Sequence, residues 1–126
     1  MINKATLIGR LGSDPEIRHT QSGTPVATFT LATNERWKDG NGQPQERTDW
    51  HRIVAWDQLA NICEQYLKKG KLVYIEGPIR VRDYQDKEGN NHRVTEIHAR
   101  TMQMLDRAGD TADKQNVPPP DEDIPF

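Results

Sequence analysis

Only one stretch of this chain carries the apolar stripe of a helix, and that restriction governs what the rest can become. Between about Gln58 and Lys69, the residues Leu59, Ile62, Cys63, Tyr66 and Leu67 recur at the spacing that lines one side of an α-helix. Asp57 stands where an N-cap belongs, Lys68 and Lys69 suit the negative end, and Gly70 offers a left-handed stop. Everything long on either side reads as strand. From Asn3 to Leu11, Ala5, Leu7 and Gly9 share one face and Lys4, Thr6 and Ile8 the other, until Gly12-Ser13-Asp14-Pro15 ends the run with turn chemistry. A short extended piece, Glu16 to His19, leads to a turn at Ser22-Gly23-Thr24. Val26 to Thr33 is rich in Thr, Val, Phe and Leu, which favour strand over helix.

Thr48 to Trp56 is the third long strand, Leu72 to Tyr84 a fourth with a bend or bulge near Gly77-Pro78, and Arg93 to Met104 a fifth. Residues 38–46, with two Gly, one Asn and one Pro, are predicted to form an irregular, mobile hairpin loop, and Gln85 to Asn91 a second polar loop. Three strands, one helix and two strands is the order of an all-β, five-stranded OB-fold barrel, whose helix lies between strands three and four. An unrelated α+β meander would give the same order.

A chain of 126 residues suits one domain plus a tail. The body can bury only a small core, so self-association would bury more. The net charge of −2 is unevenly spread: residues 108–126 carry −4, which leaves +2 on the remainder. A mildly basic body suits a polyanion, and the acidic tail suits something else. The tail ends in Asp121-Glu122-Asp123-Ile124-Pro125-Phe126, held extended by Pro118, Pro119 and Pro120. An apolar plug at the tip of an acidic string fits a pocket with a basic rim; a plain solubilising tail is the simpler alternative.

Cys63 is the only cysteine, so no intrachain disulfide can form, and its place in the helical stripe points to a buried, inert thiol. No run reaches the length of a membrane span and no signal-peptide pattern is present, so a cytoplasmic protein with no membrane partner is expected. His19, His51, His92 and His98 are scattered, with no metal-ligand spacing. Asp14 and Glu16 flank a turn proline, where capping is the natural role, and no glycine-rich phosphate cradle precedes the helix. Neither catalysis nor a metal or cofactor is expected.

The functional signal lies in strand alternation. Trp50, Arg52, Val54 and Trp56 share one face, and His51, Ile53 and Ala55 the other. If the aliphatic face fills the barrel, two tryptophans flank an arginine on the outside. Arg80, Arg82 and Tyr84 repeat the pattern, and Trp37 lies at the mouth of the hairpin between Arg36 and Lys38. Aromatics interleaved with basic residues on strands form a platform for stacked bases with a track for phosphates, which single-stranded nucleic acid satisfies. The competing reading makes the aromatics core and the charges a solvated rim, with Trp56 covering the barrel end.

These residues carry a resemblance. The stretches N-K-A-T-L-I-G-R-L-G-S-D-P-E at 3–16, V-A-T-F-T-L-A-T-N-E-R-W at 26–37, D-W-H-R-I-V-A-W at 49–56, Y-L-K-K-G-K-L-V-Y-I-E-G at 66–77 and T-M-Q-M-L at 101–105 are similar to the bacterial-type single-stranded DNA-binding proteins, the replicative SSB family. The resemblance covers roughly residues 1–105 and the terminal tip. It implies an OB-fold domain over 1–107 that assembles into a homotetramer, a short Pro-rich linker over 108–120 and a partner-docking tip at 121–126. It implies base stacking by Trp37, Trp50, Trp56 and Tyr84, and phosphate contacts from Lys4, Arg18, Arg52, Lys68, Lys69, Arg80 and Arg82. The tip, Asp121, Glu122, Asp123, Ile124, Pro125 and Phe126, would dock replication, recombination and repair proteins, and the protein would be nucleoid-associated. Three departures stand out. Trp56 and Tyr84 occupy positions where relatives commonly carry Phe and Trp. Asp83 sits beside Arg82 where a basic residue is frequent. The linker of about a dozen residues reaches about 40 Å when fully extended, where many relatives carry a long Gly- and Gln-rich tract.

Overall fold

The computed structural model describes residues 1–106. The linker and the acidic tip, and with them the partner-docking expectation, lie outside the described residues. Eight strands and one helix follow in order: β1 Ala5–Leu11, β2 Glu16–His19, β3 Pro25–Lys38, β4 Pro44–Trp56, α1 Gln58–Tyr66, β5 Leu72–Gly77, β6 Ile79–Gln85, β7 Asn91–His98 and β8 Thr101–Met104. The hydrogen-bonded order is β6-β7-β4-β3-β1-β5-β8, with β2 sharing an edge of β3. All pairings are antiparallel except β4 with β7.

This is the expected five-stranded OB-type barrel with two of its strands broken. β5 and β6 are one strand interrupted at Pro78, and β7 and β8 are one strand interrupted at Ala99-Arg100. Because β5 and β6 lie near opposite ends of the hydrogen-bonded order yet are joined by a single residue, the sheet curls back on itself. Gly77 permits that bend: a Cβ there would collide with the His98 backbone carbonyl. The break is bridged by backbone bonds, with His98 N–H donating to Pro78 O (3.0 Å) and Arg100 N–H to Glu76 O (2.8 Å).

The alternation read from the sequence holds through the sheet. Odd-numbered residues of β3 and β4 point inward: Ala27, Phe29, Leu31, Ile53 and Ala55 are buried, together with Val73 and Ile75 of β5 and Ala60, Cys63 and Leu67 on and beside the helix. Full burial of a side chain such as Phe29, Leu31 or Ile75 contributes about 1.5–3 kcal/mol each. α1 packs against β3, β4 and β2. Burial in this wall pushes the Cys63 thiol up to about 11, as an inert thiol requires.

Four local expectations are corrected. Residues 38–46 are not irregular, since the β3–β4 ladder continues to Lys38↔Pro44 and only Asp39 to Gln43 turn. The Asp39 carboxylate organises that turn, accepting the Asn41 (2.8 Å) and Gln43 (2.9 Å) N–H groups, and Gly42 takes φ 79°. Asp86 builds the β6–β7 turn in the same way, accepting from Glu88 and Asn90 with Gly89 at φ 85°. Backbone hydrogen bonds hold the Asp39 carboxyl below its ordinary range, and a bond from His92 does the same for Asp86. The helix stops at Tyr66, so Lys68 and Lys69 fall beyond it, and Tyr66 is exposed rather than on the buried stripe. Gly70 is left-handed (φ 91°), but it closes a turn onto Leu11 O rather than ending the helix. Asp57 precedes the helix without a side-chain capping bond.

Asp57 instead adopts φ 57°, ψ −128°, a backbone region that glycine occupies freely and other residues occupy under strain. Strain of about 1–3 kcal/mol there, against roughly 0.5–1 kcal/mol of extra glycine chain entropy, gives a net sign. Asp57→Gly is expected to stabilise the fold by about 1 kcal/mol, read as a higher urea midpoint with an unchanged slope. A lower midpoint would show that the Asp57 side chain contributes more than its backbone costs.

Candidate nucleic-acid interface

Strand register decides which side chains share the outer face. In the β3–β4 ladder Thr30 faces Arg52, Ala32 faces Trp50 and Val26 faces Trp56. In the β6–β7 ladder Arg80 faces Glu96, Arg82 faces Val94 and Tyr84 faces His92. The parallel β4–β7 register places Val54 beside His98 and so joins the two halves. Directly paired residues point to the same side of a sheet. Trp50, Arg52, Trp56, Glu96, His98, His92, Arg80, Arg82 and Tyr84 therefore lie on one continuous surface across β4, β7 and β6. Arg18 of β2 joins the same surface, because it pairs with Val26.

The aromatics are not core. Trp37, Trp50, Trp56 and Tyr84 keep 48, 61, 42 and 43% of their surface exposed. Val54, on the same face, is buried, while Ala99 N–H donates to Val54 O (2.8 Å) as β7 turns toward β8. Trp50 has a seat: its ring lies against Gly12, where any side chain would collide with the ring carbons. Trp56 donates its indole N–H to His98 Nδ1 (3.3 Å), with the two rings tilted and 6.2 Å apart. Tyr84 stacks on His92 (centroids 5.1 Å), and the Arg82 guanidinium sits 5.7 Å from the Tyr84 ring centre. His92 is fixed in turn by Asp86 (2.8 Å).

The basic residues fall into two sets. Arg52 and Arg82 converge on the Glu96 carboxylate, Arg52 Nε at 3.0 Å and Arg82 Nη2 at 3.1 Å from the same oxygen, with His98 Nε2 at 3.3 Å from the other. Burial pushes the Glu96 carboxyl up, but hydrogen bonds from Arg82, Arg52 and His98 outweigh it and hold the group below its ordinary value. Arg80 is exposed on the same face. Arg18 sits at the margin of this face, and Lys4, Lys68 and Lys69 are placed elsewhere. Lys4 is ion-paired with Glu76 next to Tyr74, toward the β1–β5 half of the sheet. Arg18 pairs with Glu16 at the rim (3.2 Å). Lys68 and Lys69 occupy the turn after α1, where Lys69 N–H donates to Asp14 Oδ1 (2.8 Å), so Asp14 does cap a backbone group. That turn is hydrogen-bonded to Leu11, next to the Gly12 seat of Trp50.

Trp37 is not on the Trp50 face. It pairs with Gln45, in the same parity as His51 and Ile53, and so points to the opposite side of the β3–β4 arm. From Asn34 to Lys38 and from Pro44 to Thr48 every residue is exposed, so the arm extends past the barrel with both faces open. Asp83 pairs with Arg93 (3.0 Å) on the reverse of the β6–β7 arm, away from Arg82. His51 is the satisfied packing residue that its inward position implies, bonded to Thr33 Oγ1 (2.9 Å).

The sequence pattern missed Glu96, His92 and His98. His92 and His98 do not meet; they lie at two ends of β7, each beside one aromatic. Their shared parity with Glu96 was legible, but only the register of β7 against β4 and β6 gives it meaning. If the Trp50 ring is held by its seat, Gly12→Ala will dislodge it. A red-shifted tryptophan emission and stronger acrylamide quenching are expected, with stability changed by less than about 1 kcal/mol. Unchanged emission would show that the ring is oriented by other contacts.

The chain is similar to known proteins over most of its length. The model of the Single-strand binding protein family matches residues 2–105. The chain is 55% identical to Single-stranded DNA-binding protein 1 of Chlorobaculum tepidum over 93% of its own length and 76% of that protein. It is 49% identical to Single-stranded DNA-binding protein 1 of Xylella fastidiosa, over 86% of this chain and 81% of that one. Among solved structures, a Plasmodium falciparum SSB complex with ssDNA superposes with a TM-score of 0.77 at 39% identity, covering 84% of this chain and 96% of the other. The family is one of binding proteins rather than enzymes. Residues 2–105 make up most of the chain, and the chain belongs to the single-strand binding protein family.

Proposed function

We propose that this protein binds single-stranded DNA without sequence preference, protecting it during replication, recombination and repair. The observation that carries the reading is the one continuous face on which Trp50, Trp56 and Tyr84 stand exposed among Arg52, Arg80 and Arg82. Bases stack on the indole and phenol rings, and phosphates meet the guanidiniums. Trp37 extends the platform along the far side of the β3–β4 arm, so a strand wraps around the arm rather than lying flat across it. Lys68 and Lys69 continue the basic track past the Trp50 seat. Arg18 and Lys4 contribute at the margins, where each must exchange its carboxylate partner for phosphate.

The functional unit is a homotetramer of the 1–107 domain. What supports this is the edge of β1: β5 pairs along Ala5 to Arg10, whereas β3 pairs only with Arg10 and Leu11 and closes against Gly9, so among the described residues Ala5 to Ile8 pair with no strand on that side. Exposed Ile8, half-buried Tyr74 and the Lys4–Glu76 pair lie on the outer surface of this half. The 121–126 tip recruits partner proteins through its acids and its Ile-Pro-Phe end, joined to the domain by the short linker.

Two experiments test the reading. Oligo-dT titration followed by tryptophan quenching is expected to give tight binding with a log–log salt slope near −3.5, if each subunit neutralises about five phosphates at roughly −0.7 each. Trp50→Ala should cost about 1–3 kcal/mol. Equal affinity for duplex, or for an RNA of the same sequence, would redirect the assignment, since the 2′-OH separates RNA from DNA readers. Deleting residues 121–126 is expected to leave oligo-dT affinity equal or tighter at low salt, because the acids compete with phosphates, and to abolish partner capture. Weaker binding by the truncated chain would refute that competition.

A further inference from the structure

Glu96 stands in the middle of a face built to attract phosphate, where an acid works against the purpose. It is 4% exposed, while its neighbours Trp50, Arg52, Trp56, Arg80 and Arg82 on the same face are exposed. Taking a carboxylate out of water is costly, and replacing a buried ion pair with apolar residues is often neutral for stability. Stability alone gives no reason for an acid at this position.

Its contacts supply one. One carboxylate oxygen accepts from Arg52 Nε (3.0 Å) and from Arg82 Nη2 (3.1 Å), on strands that flank β7 from opposite sides. Arg82 Nε lies 3.3 Å from both oxygens, and His98 Nε2 3.3 Å from Oε1. A ring nitrogen that accepts the Trp56 N–H carries no proton, so the His98 proton sits on Nε2 and is donated to Glu96. An unbroken chain of hydrogen bonds thus runs from the Trp56 indole through His98 and Glu96 to both guanidiniums. Two arginines against one carboxylate leave a net positive charge, and the side chains remain about half exposed, 46% for Arg52 and 51% for Arg82. On the other half of the sheet the Lys4–Glu76 pair cancels one for one.

We infer that Glu96 is a positioning residue for nucleic-acid binding: its buried carboxylate aims Arg52 and Arg82 outward as a fixed pair and, through His98, sets the Trp56 ring. The inference rests on the single-strand-binding reading above. Ordering long side chains before the ligand arrives removes a cost that binding would otherwise meet, about two- to tenfold in affinity for each immobilised side chain. It trades raw charge for geometry, and that trade has a signature. Without the acid, attraction grows at low salt while the arranged pair is lost.

Glu96→Gln in the full-length chain is expected to bind oligo-dT about three- to tenfold more weakly at about 0.3 M salt, where charge is screened, matching one or two side chains set free. Its log–log salt slope should be steeper by roughly 0.7, one charge's worth. A merely structural role would lower the urea midpoint and leave the affinity at about 0.3 M salt unchanged. The double substitution R52K/R82K keeps both charges at exposed positions that tolerate change, yet lysine cannot present the same planar fork. It should lose similar affinity with the slope unchanged, and it decides the matter should E96Q not fold. His98→Ala leaves the three-residue ion cluster intact and is expected to lower affinity about threefold, one ordered ring's worth, with the slope again unchanged. Wild-type affinity and slope in E96Q, or wild-type affinity in R52K/R82K, overturns the role of Glu96; wild-type affinity in H98A overturns its extension to Trp56. Trp50→Ala is the control. If it too binds like wild type, the single-strand reading itself has failed; if it weakens binding while E96Q does not, only the positioning role falls.

Discussion

The β3–β4 ladder is the constraint on which the rest depends. It is the longest pairing among the described residues, running from Val26↔Trp56 to Lys38↔Pro44, and within the barrel its register turns Ala27, Phe29, Leu31, Ile53 and Ala55 inward and sets Trp50, Arg52 and Trp56 on the opposite face. A slip of one position would exchange Ile53 and Ala55 for Arg52 and Trp56 in the core, an exchange that burial energy forbids. The same ladder overruns the barrel and lifts Trp37 clear of it. Core, platform and arm are three consequences of one register.

β7 ties that ladder to the second half of the site. Its parallel contact with β4 is short, Ile53↔Ile97 and Val54↔His98, yet it carries Glu96 and His98 into the row between Arg52 and Arg82. The break after His98 lets β8 return to β5, and the bend at Gly77-Pro78 lets β5 and β6 serve both ends of the sheet. Closing the barrel and joining the two clusters of basic residues are therefore one geometric event. The energetics favour order over charge: the Arg52 and Arg82 guanidiniums are partly neutralised, and the Trp50, Trp56 and Tyr84 rings are braced by Gly12, His98 and His92.

Much of this was legible in the residues. Period-two alternation in 48–56 and 80–84 assigned the outward aromatics and arginines correctly, because burial of Phe29, Ile53 and Ile75 enforces that parity wherever a core exists. The order of the hairpin tip is not legible in its glycine, asparagine and proline content. Asp39 and Asp86, each three residues before a left-handed glycine, impose order through their own carboxylates. The apolar stripe runs on through Leu67, past the end of the helix at Tyr66. Leu67 is buried in extended conformation, and its N–H still bonds back to Cys63 O.

By itself the sequence determined the strand parities, the helix between strands three and four, the inert Cys63 and the outward faces of Trp50, Trp56 and Tyr84, because each follows from local periodicity and the cost of burying the wrong face. Only the tertiary structure decided that Trp37 lies across the arm from Trp50, that Lys4 is already engaged by Glu76, and that Glu96 joins Arg52 to Arg82. Those facts depend on which strands become neighbours and in what register. Residues 44 positions apart, such as Arg52 and Glu96, leave no local signal of their meeting until the sheet closes.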